Sequence, residues 1–211
     1  MPKIAWSYSS LKTFQQCPKK YYHTKVAKDV VEPDTTATLY GKSVHTAAEE
    51  YIRDGVEIPA AFSYLKDTLD ALNAIPGIKL CEEELGLTKD LEPCAFDAPE
   101  AWWRGIADLL IINGDEARVI DYKTGSNRFP DLKQLQLMAL MVFAHFPEIK
   151  VAKTALLFVV HEHFIPKDFK REDEARLWED FQPDLERLKL SFSTDKWQEN
   201  PTQLCRWCPV K

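Results

Sequence analysis

The stretch Trp102–Gly125, WWRGIADLLIINGDEARVIDYKTG, predicts a β-hairpin and organises the rest of the chain. Two apolar runs, 105–112 and 117–122, flank the residues Asn-Gly-Asp-Glu. Asn-Gly between two apolar runs is a strong short-range signal for a hairpin turn, because both residues tolerate a positive φ. We therefore expect two antiparallel strands joined by a tight turn.

The position of the turn sets how Asp108 lies relative to Asp121. A turn centred on Gly114-Asp115 places Asp108 directly opposite Asp121, and one centred on Asn113-Gly114 places it one diagonal step away. Because side chains alternate along a strand, both registers predict that Asp108, Asp121 and Lys123 share one face of the hairpin. A β-bulge would break this parity.

Two carboxylates that face each other across a strand pair repel, and these lie among aliphatic residues. A divalent cation would offset the repulsion, and oxygen ligands suit Mg²⁺ or Mn²⁺. Lys123 adds a positive charge at the same place. The alternative is a solvated face that carries an Asp–Lys pair. The Gly-x-x-Asp sequence on the facing strand favours the metal site.

The order of these residues resembles a known family. Gly105-Ile106-Ala107-Asp108, a turn, and then Asp121-Tyr122-Lys123 are similar to the core of the PD-(D/E)XK nucleases, in particular the RecB-like branch. The resemblance implies an α/β fold, with a restriction-endonuclease-like mixed β-sheet flanked by helices and helical additions at both ends. It also implies that Asp108, Asp121 and the backbone carbonyl of Tyr122 hold Mg²⁺ or Mn²⁺, with Lys123 as a catalytic residue.

A second candidate ligand, His45, lies on a predicted helix. An apolar stripe after Ser43 predicts a helix that begins there and ends at Gly55, and residues 30–40 are expected to form a loop. His45 and Glu49 share a helix face, which by itself indicates a surface pair. The resemblance implies instead that His45 is a metal ligand, with Glu49 as a partner that fixes its tautomer.

A third element is the strongly apolar helix predicted over residues 131–146, with Gln134 in its first turns. From the sequence alone, Gln134 is a surface amide or a site residue. The RecB-like branch has a Gln-x-x-x-Tyr motif here that supports the substrate or the catalytic lysine. Gln134 matches the motif and is included among the catalytic residues, but Met138 stands at the tyrosine position.

The remaining predicted elements surround this core. Residues 78–87 predict a strand that carries Glu82, Glu83 and Glu84, which are expected at a solvent-facing edge. Which of these three acids, or Glu49, approaches the site stays open. Residues 151–161 predict a strand buried on both faces, and residues 170–192 predict helical structure interrupted at proline 183.

Three of the five cysteines form a pattern near the two ends of the chain. Cys17-Pro follows a short helix, and Cys205-x-x-Cys208-Pro lies near residue 211. Cys-x-x-Cys in a cytosolic chain favours a metal or redox site over a structural disulfide. The resemblance implies a [4Fe–4S] cluster, although its fourth cysteine is not present before the sequence ends, and zinc with a water is the other option. Either site predicts that Cys17 lies near Cys205 and Cys208.

Composition agrees with one globular domain over residues 1–211, in which segments 1–28 and 193–211 meet at the cysteines. The net charge of −6 argues against a broad basic surface that coats nucleic acid. Local phosphate contacts are still expected from Arg104, Lys19 and Lys20, although such a charge run is more often a solvated face. The absence of a signal peptide or an apolar run of about 20 residues predicts a cytoplasmic protein, encoded by a bacterium, an archaeon or a phage, with no membrane partner.

The sequence therefore predicts a metal-dependent DNA nuclease, in particular an exonuclease that acts on single strands or DNA ends. Its expected partners are DNA and recombination, repair or CRISPR-adaptation proteins. Two alternatives keep the fold: a non-catalytic DNA-binding or recruiting module, and a restriction-type endonuclease. The second is disfavoured because no separate element for reading bases is recognisable.

Overall fold

A computed structural model describes residues 5–210 and contains a mixed six-stranded β-sheet with helices on both faces. The strands are β1 (Ile78–Leu87), β2 (Pro93–Cys94), β3 (Trp103–Asn113), β4 (Glu116–Lys123), β5 (Val151–Phe158) and β6 (His163–Lys170). Their order across the sheet is β2-β1-β3-β4-β5-β6. β4 and β5 are parallel, and the other neighbouring strands are antiparallel. This architecture confirms the predicted fold class.

Seven α-helices lie within the described residues: α1 (Tyr8–Gln16), α2 (Pro18–Tyr21), α3 (Thr36–Asp54), α4 (Lys66–Ala74), α5 (Lys133–His145), α6 (Glu174–Glu179) and α7 (Gln182–Thr194). Shorter 3₁₀ segments cover Ala60–Leu65, Arg171–Asp173 and Gln203–Trp207, and a π-helical turn covers Tyr22–Val26. Over residues 5–210, no helix is both long and apolar enough to cross a bilayer.

The predicted hairpin is formed by β3 and β4, with Gly114 at its turn. Asn113 pairs with Glu116, so the turn centres on Gly114-Asp115, the first of the two predicted registers. Gly114 has a φ of +62°, a left-handed conformation that glycine adopts without steric strain. The Asn-Gly signal therefore identified the hairpin, whose turn is centred one residue later, on Gly114-Asp115.

The two sheet faces are covered by different helices. One core cluster contains α5, α1, α6 and α7, and the other contains α3 and α4. α5 lies very close to β3 at Gly105, where an added Cβ atom would lie 2.7 Å from the sulfur of Met141. The glycine of Gly-Ile-Ala-Asp therefore serves helix packing, and it lets α5 approach the strand that carries Asp108.

α3 begins earlier than the sequence predicted. Its N-cap is Thr35, not Ser43, and Thr35 and Thr38 form a reciprocal capping box. Gly41 lies inside the helix, where an added Cβ would be 3.2 Å from the Thr124 hydroxyl. The capping box starts the helix within a segment whose polar and β-branched residues indicated a loop. The end of the helix at Gly55 agrees with the prediction.

β6 was not predicted, and β5 ends at Phe158, three residues before the expected end. Most side chains of β6 are exposed, so its sequence lacks the alternation of a half-buried strand. β6 lies at the edge of the sheet and includes Pro166, which an edge position tolerates because no outer strand needs its missing N–H.

The N- and C-terminal segments are in contact beside Cys17. The backbone N–H of Lys19 donates to the carbonyl of Gln198 at 3.1 Å. The side chain of Asn200 donates to the carbonyl of Gln16 at 2.9 Å. These hydrogen bonds join α1 and α2 to the segment that follows α7.

Candidate active site

Glu82 and Asp108 lie opposite each other where the ladder between β1 and β3 omits one pair. Cys81 pairs with Leu109, and pairing resumes in the same register at Glu83. Glu82 has a φ of +50°, which is uncommon for a residue with a side chain. The two strands therefore lose regular geometry at the same point without a change of register.

This irregularity reverses the side-chain alternation of β3. Leu110 belongs to the core cluster that contains α5, and Leu109 belongs to the one that contains α3 and α4. Regular alternation would place Ala107 with Leu109, but Ala107 belongs to the α5 cluster. Asp108 lies at the reversal, so the parity that predicted a common face for Asp108 and Asp121 does not hold there.

His45 from α3 meets the two acids, and we refer to His45, Glu82 and Asp108 as the His45 cluster. Nδ1 of His45 lies 3.5 Å from Asp108 Oδ1 and 3.7 Å from Glu82 Oε1. One donor atom from each residue lies within 4.8 Å of the others. Within residues 5–210, this is the only group of at least three His, Cys, Asp or Glu side chains that meets this distance. One imidazole nitrogen and two carboxylates form a donor set that fits Mn²⁺ or Mg²⁺.

The backbone of Tyr122 connects this cluster to β4. His45 Nε2 donates to the Tyr122 carbonyl at 3.1 Å, and the Tyr122 N–H donates to Asp108 Oδ2 at 2.7 Å. Because Nε2 has this partner, Nδ1 is the nitrogen that faces the two carboxylates. The Tyr122 carbonyl therefore lies at the cluster, where it accepts a hydrogen bond from His45.

The cluster stabilises a proton on His45. Burial lowers the pKa of His45, but hydrogen bonds to Asp108 and Glu82, together with their charges, outweigh burial and raise the pKa to about 10. His45 is therefore an imidazolium at neutral pH. A cation that binds Nδ1 has to displace this proton.

Asp121, Lys123 and Gln134 form a second set, which we call the Asp121 group. Lys123 Nζ lies 2.6 Å from Asp121 Oδ2 and donates to Gln134 Oε1 at 3.0 Å. The Gln134 amide donates to Asp121 Oδ1. Asp121 Oδ2 is buried and, although the ammonium is near, accepts no well-directed hydrogen bond. A metal ion that binds this oxygen would take the place of the Lys123 ammonium.

The two sets interact through their charges. Burial, followed by the charge of Asp108, raises the pKa of Asp121 to about 6, although Lys123 opposes the shift. The repulsion between the two carboxylates that the hairpin predicted is therefore present, and a cation between them would relieve it.

The two lysines proposed as phosphate contacts lie in ion pairs. Lys19 lies 2.7 Å from Glu199, and Lys20 lies 2.6 Å from Glu32. Both lysines lie near the N-terminus outside the His45 cluster and the Asp121 group. Their role in DNA binding stays a prediction, and these carboxylates would compete with phosphate.

Arg104 and Glu49 also have other contacts. Arg104 lies four residues before Asp108 on β3, and its guanidinium lies 5.3 Å from the ring centroid of Phe96. Its side chain forms no hydrogen bond or ion pair with either set. Glu49 forms an ion pair with Arg53, so the structure does not make Glu49 the partner of His45. Backbone and carboxylate contacts fix the His45 ring instead.

The three cysteines lie in the region where the chain ends meet. Cys17 and Cys208 are half-buried, and Cys205 is exposed. Glu199 has the largest effect in raising the pKa of Lys19, with smaller effects from Cys17 and Cys208, so both thiols lie near that lysine. The sulfurs do not form a set within 4.8 Å of one another. A cysteine metal site therefore stays a prediction.

Glu82 is the residue of the His45 cluster that the sequence did not single out. Three consecutive acids gave no reason to prefer one, and alternation cannot predict a left-handed residue inside a strand. The proximity of Glu82 to His45 depends on that backbone conformation.

Comparisons with known proteins agree with this geometry. A family model described as the PD-(D/E)XK nuclease superfamily matches residues 5–211. No curated protein matches the chain. A solved structure from Eubacterium rectale, described as a candidate exonuclease, is 13% identical with a TM-score of 0.56, and the alignment covers 98% of this chain and 87% of that one. The structure of SSO0001 is also 13% identical, with coverages of 99% and 85%, but its TM-score of 0.42 is too low to indicate a common fold. The similarity to the Eubacterium rectale structure supports a common fold and nothing beyond it.

Proposed function

Because this chain belongs to the PD-(D/E)XK nuclease superfamily, we propose that it is a Mg²⁺- or Mn²⁺-dependent DNA nuclease that acts as an exonuclease on single strands or ends. The observation that carries the proposal is the convergence of the His45 cluster and the Asp121 group on the central strands of one sheet. Their carboxylates repel each other, and a lysine lies beside them.

The residues present fit a divalent cation. His45, Glu82 and Asp108 would hold it, joined by Asp121 once its Oδ2 leaves the ammonium of Lys123. A carbonyl oxygen has two lone pairs, so the hydrogen bond from His45 leaves Tyr122 able to act as a further ligand. When bound, the metal lowers the pKa of a water and stabilises negative charge on the scissile phosphate.

Lys123 provides the positive charge that the chain itself contributes to the reaction. In the structure its ammonium lies between Asp121 and Gln134. If Asp121 turns toward a cation, Lys123 is free to orient the attacking water or to stabilise the phosphate. Its Nζ still donates a hydrogen bond to Gln134. Gln134 thus positions Lys123, a role that does not require the tyrosine that Met138 replaces.

We assign the chain to the RecB-like branch, with residues 1–211 working as one domain. The order of His45, Asp108, Asp121, Lys123 and Gln134 supports this assignment. The fold shared with the Eubacterium rectale candidate exonuclease is consistent with exonuclease activity. Expected partners are DNA single strands or ends and, in the cytoplasm, recombination, repair or CRISPR-adaptation proteins.

The contact between the chain ends supports a second metal site at Cys17, Cys205 and Cys208. A [4Fe–4S] cluster or zinc would bind there and connect the two terminal segments. Visible absorbance of anaerobically purified protein tests for iron–sulfur, and metal analysis tests for zinc. Protein that contains neither metal contradicts the site.

Digestion of labelled DNA tests the nuclease proposal. With Mn²⁺, the protein should shorten end-labelled linear DNA, with single strands cut faster than duplex, and should leave a closed single-stranded circle intact. Lys123→Ala is the matched inactive control. Cleavage of the circle would indicate an endonuclease, cleavage of a covalently closed duplex circle would indicate the restriction type, and DNA binding without cleavage would indicate the recruiting module.

A further inference from the structure

We propose that Asp131, held by the N-terminal helix α1, positions Gln134 and through it the ammonium of Lys123. This inference rests on the proposed catalytic role of Lys123. Residues 124–132 connect β4 to α5 without a helix or strand, so this linker does not by itself fix the first turn of α5. A contact with a helix outside the linker fixes that turn.

That contact is made by α1. Lys12 Nζ lies 2.6 Å from Asp131 Oδ2. Burial, followed by the nearby Asp131 carboxylate, raises the pKa of Tyr8 well above its ordinary value. Although partial burial opposes ionisation, Lys12 and Tyr8 keep the pKa of Asp131 below its usual range. Asp131 is therefore a fixed anion at neutral pH.

The other oxygen of Asp131 contacts α5. Oδ1 accepts a hydrogen bond from the backbone N–H of Lys133, the first residue of α5, at 3.3 Å. The residue at the N-cap position, Leu132, provides no side-chain cap, so Asp131 takes that role. Its negative charge also interacts favourably with the positive end of the helix. Gln134 follows directly, and its amide contacts both Asp121 and Lys123.

α1 can act as a fixed reference because it is held on other sides as well. Gln15 donates to Asp184 of α7 at 2.6 Å, and the guanidinium of Arg187 lies 5.7 Å from the ring centroid of Phe14. Ser7 begins the helix with a capping box. The position of the lysine therefore depends on a helix that contains no residue of the site.

Kinetics of the full chain with Mn²⁺ and linear single-stranded DNA test the proposal. Lys12→Met should lower kcat about tenfold and leave KM within twofold, because a small displacement of a catalytic group reduces the rate more than binding. Lys12→Arg should restore kcat. Lys66→Met is the matched control, since Lys66 lies 2.7 Å from Asp70 in an ion pair that is also largely exposed and contains no residue of either set. An unchanged kcat in Lys12→Met would overturn the proposal.

The route through Gln134 has its own test. In a Gln134→Ala background, Lys12→Met should cause no further loss of kcat, whereas losses that multiply would overturn the route. Hydrogen exchange provides a readout that does not need activity: amides in the first turn of α5 should exchange faster in Lys12→Met than in wild type or Lys66→Met. Unchanged exchange refutes the tether. Faster exchange in a protein that never cuts DNA would support the tether while the nuclease proposal fails.

Discussion

The His45 cluster and the Asp121 group contain similar side chains but satisfy their charges differently. In the His45 cluster, the carboxylates of Asp108 and Glu82 share one imidazolium. In the Asp121 group, Lys123 lies beside one oxygen of the carboxylate and the Gln134 amide bonds to the other. The His45 cluster has one negative charge in excess, and the Asp121 group is balanced. The His45 cluster can therefore bind a cation directly, whereas Asp121 must first exchange its partners.

Lys123→Ala should have the largest effect. We expect kcat to fall about 100- to 1000-fold, because a preorganised charge at the phosphate is lost. Mn²⁺ affinity should be retained or increased, because Asp121 loses its competing partner. Single-turnover cleavage and titration calorimetry measure the two quantities. Cleavage at the wild-type rate would show that the lysine only balances charge.

Asp108→Asn and Asp121→Asn compare the two sets directly. Asparagine can still accept the hydrogen bond from Tyr122, so Asp108→Asn removes charge with little change of shape. It should weaken Mn²⁺ binding about a hundredfold. Asp121→Asn should weaken it less than tenfold, because its charge is already balanced by Lys123. The opposite order of affinities would make the Asp121 group the primary metal site.

Proton release should accompany metal binding at the His45 cluster. Since the pKa of His45 is raised to about 10, the imidazole carries a proton at pH 7 and must lose it to bind a metal. Mn²⁺ affinity should therefore rise with pH up to that pKa. Calorimetry in buffers of different ionisation enthalpy should show release of about one proton, which His45→Asn abolishes and His161→Gln, at an exposed position, retains. Equal release by wild type and His45→Asn would contradict the assignment.

Glu82→Gly should have the smallest effect and separate stability from function. Glycine removes the steric strain of the left-handed backbone, although its greater flexibility in the unfolded chain offsets part of the gain. The free energy of unfolding of metal-free protein should therefore rise by about 0.5–1 kcal/mol. Mn²⁺ affinity should fall. Glu83→Gly is the control, because Glu83 lies in the regular ladder and its replacement should destabilise the fold. Urea denaturation measures the free energy of unfolding of both variants. If Glu82→Gly is less stable than wild type, the backbone at Glu82 is not strained.

The sequence predicted the features that depend on local signals. Asn113-Gly114 identified the hairpin, and the apolar run after Gln134 identified α5. The order of short motifs led to the family that the matched model confirms. Alternation also placed Asp121 and Lys123 on the same side of β4, since no irregularity interrupts that strand.

The features that escaped prediction depend on contacts distant in sequence. Glu82 lies beside His45 at the point where β1 and β3 lose regularity together. Lys19 and Lys20 formed a basic run in the sequence, but each is paired with a carboxylate, and Glu199 lies 180 residues away from Lys19. A charge pattern in one segment contains no information about the segment that will neutralise it.

The left-handed backbone at Glu82 also bears on strand pairing between molecules of this protein. Within residues 5–210, β1 pairs with the short β2 only at Gly86 and Leu87, so most of its outer side has no neighbouring strand in that part of the chain. Flat unpaired strand edges promote edge-to-edge aggregation. The left-handed backbone at Glu82 and the two acids that follow it make this edge unfavourable for pairing with a strand of another molecule. Pro166 interrupts the opposite edge in β6. We therefore expect the irregularity that brings an acid to His45 to limit edge-to-edge aggregation at high protein concentration as well.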